Sequence, residues 1–125
     1  MSDEVKVTAS LEIINDTFRL EKTGRTTLTF DQTTKGGGVP GTITIPAADT
    51  VVDLSDLGTE GWLWMKNLDA TNYVSWGPDN GSSAIAKVGR LEAGEPALFR
   101  LEPGLTLRMQ ANVAPCQVQI LACED

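Results

Sequence analysis

The chain has 125 residues, which suits one domain of ordinary size, with 17 acidic and 10 basic side chains, two cysteines and no histidine. The missing histidine removes the commonest general base and metal ligand, and two cysteines cannot complete a four-ligand zinc site. The formal charge of −7 opposes contact with a nucleic acid backbone, so the composition favours a binding or structural protein over an enzyme and predicts no catalytic, cofactor-binding or metal-binding residue.

The first part of the chain alternates between apolar and polar residues, and this period of two predicts β-strands. Residues 5–13 and 18–21 follow the pattern, and the turn-forming pair Asn15 and Asp16 separates them. Residues 26–32 are rich in β-branched side chains and predict a third strand.

The middle of the chain opens with a glycine-rich stretch. Residues 36–41 read Gly-Gly-Gly-Val-Pro-Gly, which predicts a flexible loop. Short strands are predicted at residues 42–45 and 49–54. Residues 62–68 are apolar on both faces, as expected of a central strand.

The last third contains the strongest hairpin signal. Residues 97–101 and 105–109 both alternate, and residues 102–104 between them supply the proline and glycine of a type II turn. The pattern predicts that these two strands pair with each other. Further strands are predicted at residues 72–77, 85–88 and 116–122, with a tight turn at residues 79–81.

The pattern as a whole is about ten short strands with turn signals between them and no long helix, which is typical of sandwiches and barrels. We predict an all-β fold, an antiparallel β-sandwich of jelly-roll type with a short N-terminal arm or hairpin. Residues 1–35 would form the N-terminal strands or arm and residues 36–125 the sandwich, within one compact domain.

The cysteines and the chain start indicate the compartment. Cys116 and Cys123 lie seven residues apart on one predicted strand, on opposite faces and about 23 Å from each other, beyond disulfide reach. Both are predicted to be free, buried thiols. The start lacks the segments of a secretion signal, and no apolar run approaches about 20 residues. We therefore expect synthesis in a reducing cytosol and no membrane span.

Acidic clusters are interpreted as solvated faces and turns. Asp49, Asp53 and Asp56 form one cluster and residues 92–95 contain another, but 17 acids make such groupings common without a paired-carboxylate active site. Residues 79–82 lack the ligand spacing of a calcium loop.

The tryptophans and several arginines are the candidate interface residues. Tryptophans in a small sandwich usually fill a core or a subunit interface, and the alternative is a platform that stacks on sugar rings. Three arginines alternate with apolar residues and are expected to face solvent or to pair with a neighbour's carboxylates. The candidate set is Trp62, Trp64, Trp76, Arg90, Arg100 and Arg108.

Two segments of the second half resemble small virion proteins of tailed bacteriophages. Residues 66–77 read KNLDATNYVSWG, residues 91–101 read LEAGEPALFRL, and residues 107–112 close the pattern with LRMQAN. The opening DQTTKGG at residues 31–37 is similar as well. The resemblance covers roughly residues 5–125, and it carries over no catalytic residue. Physically, both segments contain turn residues whose expected role is to set strand register.

The resemblance implies a structural virion protein, made in the bacterial cytoplasm and free of cofactors. The expected role is a capsid decoration (cement) protein that binds the major capsid protein and copies of itself as a homotrimer, with no nucleic acid or membrane partner. Residues 1–20 are the expected arm that adds a strand to a neighbour. The alternatives are a tail, neck or spike accessory protein and a carbohydrate-binding module for a host glycan.

Overall fold

The computed structural model describes residues 5–22, 28–30 and 37–124. These residues form strands, turns and loops, and every strand pair is antiparallel, which confirms the predicted all-β class. The chain divides into two units, Met1–Thr33 and Thr34–Asp125.

The first unit contains two separate strand pairs. Its strands are β1 (Val5–Val7), β2 (Leu11–Asn15), β3 (Phe18–Lys22) and β4 (Leu28–Phe30). β1 pairs with β4, and β2 pairs with β3 through a turn in which Asp16 has a φ of 53°, so the predicted turn is confirmed. The predicted strand over residues 5–13 is wrong in extent, because it is interrupted between Val7 and Leu11.

Parts of three predictions lie outside the described residues. These are residues 1–4 of the expected arm, residues 26, 27, 31 and 32 of the predicted third strand, and residue 36 of the predicted glycine-rich loop.

The second unit consists of two four-stranded antiparallel sheets. Its strands are β5 (Gly37–Ile45), β6 (Thr50–Val51), β7 (Glu60–Asn67), β8 (Val74–Pro78), β9 (Gly89–Leu91), β10 (Pro96–Arg100), β11 (Leu107–Ala111) and β12 (Cys116–Glu124). The first sheet has the order β10-β7-β12-β5 and the second has the order β6-β11-β8-β9. This arrangement is consistent with the predicted β-sandwich.

The core of the second unit is built from alternate residues of the central strands. In β11, Leu107, Met109 and Ala111 are buried while the residues between them are half-buried. β7 and β12 contribute in the same way, because successive side chains of a strand point to opposite faces. The largest fully buried apolar side chains are Ile45, Leu63, Met65, Val74, Met109, Cys116, Val118 and Ile120.

Both cysteines are free thiols on β12, as predicted. The predicted burial is confirmed for Cys116 but is wrong for Cys123, which is half-buried near the end of the strand. Burial raises the pKa of the Cys116 thiol, and the charge of Asp69 raises it further. A thiol with a raised pKa carries little thiolate, so Cys116 acts as a small core residue.

The predicted hairpin over residues 97–109 is wrong in its pairing. The chain does turn at Gly104, which has a φ of 82°. However, β10 pairs with β7 and β11 pairs with β8 and β6, so the two strands lie in different sheets. Turn residues reverse the chain but do not decide which strand becomes the neighbour, and here the apolar sides of the two strands contribute to the core from different sheets.

The predicted flexible loop is also wrong for the described residues Gly37 to Gly41. They belong to β5, and they pair with β12 through a register shift between Ala122 and Cys123. Backbone pairing along a long partner strand thus outweighs the low strand propensity of glycine. The predicted strand 49–54 reduces to β6, and the predicted strand 85–88 reduces to a single bridge between Asp79 and Ile85.

Candidate functional site

Two of the candidate tryptophans lie together on the outer face of the first sheet. Strand β7 buries Leu63 and Met65 and places Trp62 and Trp64 on the opposite face, where both are half-buried. Arg100 of β10 lies directly opposite Trp62, and its guanidinium carbon is 5.4 Å from the centre of the indole ring. This distance is within cation–π range.

Trp64 and Trp76 make different contacts, and Trp76 lies apart from the pair of tryptophans on β7. Trp64 donates its Nε1–H to Gln119 Oε1 at 3.1 Å. Trp76 stacks on Phe99 with ring centres 5.1 Å apart and packs against the core. Trp76 therefore does not extend the surface formed by Trp62 and Trp64, and the three residues do not form one platform.

Two of the candidate arginines are bound to carboxylates of this chain. Arg90 is exposed, lies 4.3 Å from the centre of the Tyr73 ring and pairs with Glu92 at 3.1 Å. The expected solvent-facing position is wrong for Arg108, whose side chain is only 12% exposed. Arg108 donates from Nε to Asp79 at 2.7 Å and from Nη1 to Asp49 at 3.1 Å.

The Arg108 cluster holds two loops against the second sheet. Asp49 accepts the backbone N–H of Ile85 at 2.7 Å, and Asp79 accepts that of Gly81 at 2.8 Å. The hydrogen bond from the Gly81 N–H is the main cause that lowers the pKa of Asp79 below its ordinary value of 3.8, and the hydrogen bond and charge of Arg108 lower it further. The guanidinium of Arg108 thus connects the segment before β6 to the loop after β8, which is a structural role.

This lowered pKa predicts a pH dependence of stability. The ionised form of Asp79 stabilises the fold above the ordinary pKa of 3.8, and this contribution is lost as pH falls through the lower folded-state pKa. We expect Asp79→Asn to lower Tm by several degrees at neutral pH and to reduce the loss of Tm between about pH 5 and about pH 3. Thermal unfolding followed by circular dichroism measures both effects. Asp56→Asn, at an exposed position, is the control, and an equal effect of the two substitutions would contradict the role of the cluster.

The two turn-containing segments, residues 66–77 and 91–101, meet at a buried asparagine. Asn67 is 0% exposed, and its amide nitrogen donates to the carbonyls of Asn72, Leu91 and Glu92 at 2.8, 3.0 and 3.3 Å. Its Oδ1 accepts the N–H of Asp69 at 3.0 Å. Both turns were predicted from the sequence, but no local pattern indicated this link between them.

A carboxylate completes the first of these turns. Asp69 Oδ2 accepts the backbone N–H groups of Asn72 at 2.7 Å and Thr71 at 3.0 Å. Both hydrogen bonds lower the pKa of Asp69, and the bond from Asn72 has the larger effect. The second turn is closed by the N–H of Glu95, which donates to the carbonyl of Glu92 at 3.0 Å. The N–H of Gly94 in this turn donates to the carbonyl of Asn67, also at 3.0 Å.

The hairpin β2–β3 carries an exposed apolar face. Ile13 and Leu20 are cross-strand partners, and Leu11 and Phe18 lie on the same side of the ribbon. The exposed fractions are 55% for Leu11, 38% for Ile13, 59% for Phe18 and 38% for Leu20. We call these four residues the hairpin face. A two-stranded ribbon is marginally stable alone, so this face is suited to binding another surface.

An open cleft of about 400 Å³ lies in the second unit, between the segment after β6, the start of β7 and the turn before β11. We call it the end cleft. Its lining residues are Val51, Val52, Asp53, Leu54, Ser55, Leu57, Glu60, Gly104, Leu105 and Thr106.

Within residues 5–22, 28–30 and 37–124, no group of three or more histidine, cysteine or acidic residues is arranged to hold a metal ion. The same part of the chain contains no helix that is long and apolar enough to cross a membrane. Models of protein families, curated proteins and solved structures were compared with the chain, and none of them matches it.

Proposed function

We propose that this chain is a structural virion protein of a tailed phage, and more specifically a capsid decoration protein that stabilises the head from outside. The observation that carries the proposal is the hairpin face. Four large apolar side chains are 38–59% exposed on a short hairpin, while the second unit has an extensive core of its own. An exposed apolar face of this kind is expected to bind a partner, while the second unit is stabilised by its own core.

The strand order supports the finer proposal of a jelly roll. Between β5 and β12 the chain alternates between the two sheets, apart from the step from β8 to β9. The resulting orders, β10-β7-β12-β5 and β6-β11-β8-β9, support a fold in which two four-stranded sheets are interleaved as in a jelly roll. Jelly rolls are common in viral capsid proteins.

The proposed mechanism is stabilisation by mass action. A protein that binds the assembled lattice, but not its dissociated subunits, shifts the equilibrium toward the assembled shell. The hairpin face would be buried against the head surface, and a homotrimer would present three such faces at once. Several weak contacts on one body bind more tightly than any one alone.

Sedimentation with expanded, empty heads tests this proposal. We expect the protein to pellet with the heads and Phe18→Asp to weaken binding by about tenfold or more, since a buried phenylalanine contributes roughly 1.5–3 kcal/mol. Val113→Asp is the matched control, because Val113 is 75% exposed but lies on a loop of the second unit. Unchanged binding of the Phe18 variant, or failure of the wild type to bind, contradicts the proposal.

Two alternatives lead to different results. A tail, neck or spike accessory protein would bind tails rather than heads. A carbohydrate-binding module is favoured by the adjacent Trp62 and Trp64, although Arg100 already lies over the Trp62 ring. Titration of the tryptophan fluorescence with oligosaccharides distinguishes this alternative, and a saturable change abolished by Trp64→Ala would support it.

A further inference from the structure

The end cleft combines an apolar floor with acidic groups at its rim. Of its lining residues, Leu54 and Leu57 are buried, Leu105 is half-buried and Val51 is 48% exposed. The backbone holds this shape, because Leu57 donates its N–H to the carbonyl of Leu54 at 3.0 Å. The cleft therefore offers an apolar side chain a preformed site.

The two carboxylates of the cleft are held in place by backbone groups. Asp53 Oδ1 accepts the N–H of Ser55 at 2.9 Å, and Glu60 Oε2 accepts the N–H of Gly104 at 3.1 Å. A carboxylate has about four acceptor positions, so each can receive a further donor. Their placement therefore suits a cationic group that enters above the apolar floor.

The charge of the cleft is of one sign. None of its lining residues is a lysine or an arginine, and the chain carries a net charge of −7. An acidic partner would be repelled, whereas a basic one would gain favourable interactions at both carboxylates.

We propose that the end cleft binds an extended segment of a partner protein in which a lysine or arginine is adjacent to a large apolar residue. The apolar side chain occupies the floor between Val51 and Leu105, and the cation reaches Asp53 and Glu60. This contact is distinct from the hairpin face and does not depend on which part of a particle the protein occupies.

A peptide titration of the full chain tests the proposal directly. The probe is a synthetic hexapeptide of alternating leucine and arginine, added to the ¹⁵N-labelled protein, and the readout is the set of amide shifts in the NMR spectrum. We expect saturable shifts centred on residues 51–57 and 104–106, which weaken as salt is added. The same peptide with glutamate in place of arginine is expected to produce no saturable shift.

Charge variants make the test specific to this cleft. Asp53→Asn combined with Glu60→Gln keeps oxygen acceptors for Ser55 and Gly104 while removing both charges, and we expect about three- to tenfold weaker binding. Glu92→Gln is the control. Glu92 follows β9 and its carbonyl is bonded to Asn67, the last residue of β7, whereas Glu60 is the first residue of β7. The two carboxylates therefore belong to opposite ends of this strand.

Three outcomes would overturn the proposal. They are shifts centred on the hairpin face or elsewhere, equal binding of the glutamate peptide, and unchanged affinity of the double variant. None of these outcomes involves phage heads, so a failure here is separate from a failure of the proposed function.

Discussion

Replacing Asn67 with alanine is expected to lower the free energy of unfolding by roughly 3–5 kcal/mol. The substitution leaves the carbonyls of Asn72 and Leu91 and the N–H of Asp69 without the partner that holds them in the structure, and it opens a cavity at a fully buried position. An unsatisfied buried polar group costs about 1–3 kcal/mol, so several together have a large effect.

Urea unfolding measures this effect. Asn67→Asp is almost isosteric but cannot donate to the three carbonyls, so a comparable loss would assign the effect to hydrogen bonding rather than to the cavity. Asn112→Ala is the control, because the buried Oδ1 of Asn112 accepts no hydrogen bond from the described residues. If the Asn67 and Asn112 variants lose the same stability, Asn67 is not the link between the two turns.

The second large effect is expected at Gly77. A Cβ atom at this position would collide with the carbonyl oxygen of Ala86 and lie 3.0 Å from the nitrogen of Val88. The loop that contains these atoms is bonded to β8, since Val88 donates its N–H to the carbonyl of Trp76 at 2.9 Å. Gly77→Ala must therefore displace the loop or the strand, and we expect a loss of roughly 2–3 kcal/mol.

Gly58→Ala provides the matched control for this prediction. A Cβ atom at Gly58 would have no heavy atom within 4 Å, so its free energy of unfolding should change by less than about 1 kcal/mol. Thermal and urea unfolding of the two variants compares them directly. Equal stabilities would show that the close approach of Ala86 to Gly77 is not a constraint on the fold.

The sequence was most informative where one face of a strand is buried. Alternation in residues 107–109 correctly indicated the buried positions Leu107 and Met109, because a period of two is imposed by the pleat itself. The turn at Asp16 followed from local conformational preferences. In contrast, the partners of β10 and β11 depend on tertiary packing, and the strong turn between them could not indicate that they lie in different sheets.

The candidate sites depend still more on distant contacts. Arg108 is separated from Asp49 by 59 residues and from Asp79 by 29, so no local pattern indicates the cluster. Asn67 could be recognised as a turn residue, but its bonds to Leu91 and Glu92 exist only once β7 and β9 are folded. The hairpin face depends on local sequence instead, because the alternation of its strands and the turn between them could both be predicted from neighbouring residues.

We propose that this chain is a structural subunit bound to the outside of a phage head. An electron-microscopy reconstruction of the intact particle of the phage that encodes it tests this claim most directly. We predict density for the two-sheet unit on the outer surface of the head, repeated across the capsid lattice, with the hairpin face in contact with the shell. A few copies confined to the tail or neck, or no copy in the particle, would contradict the claim.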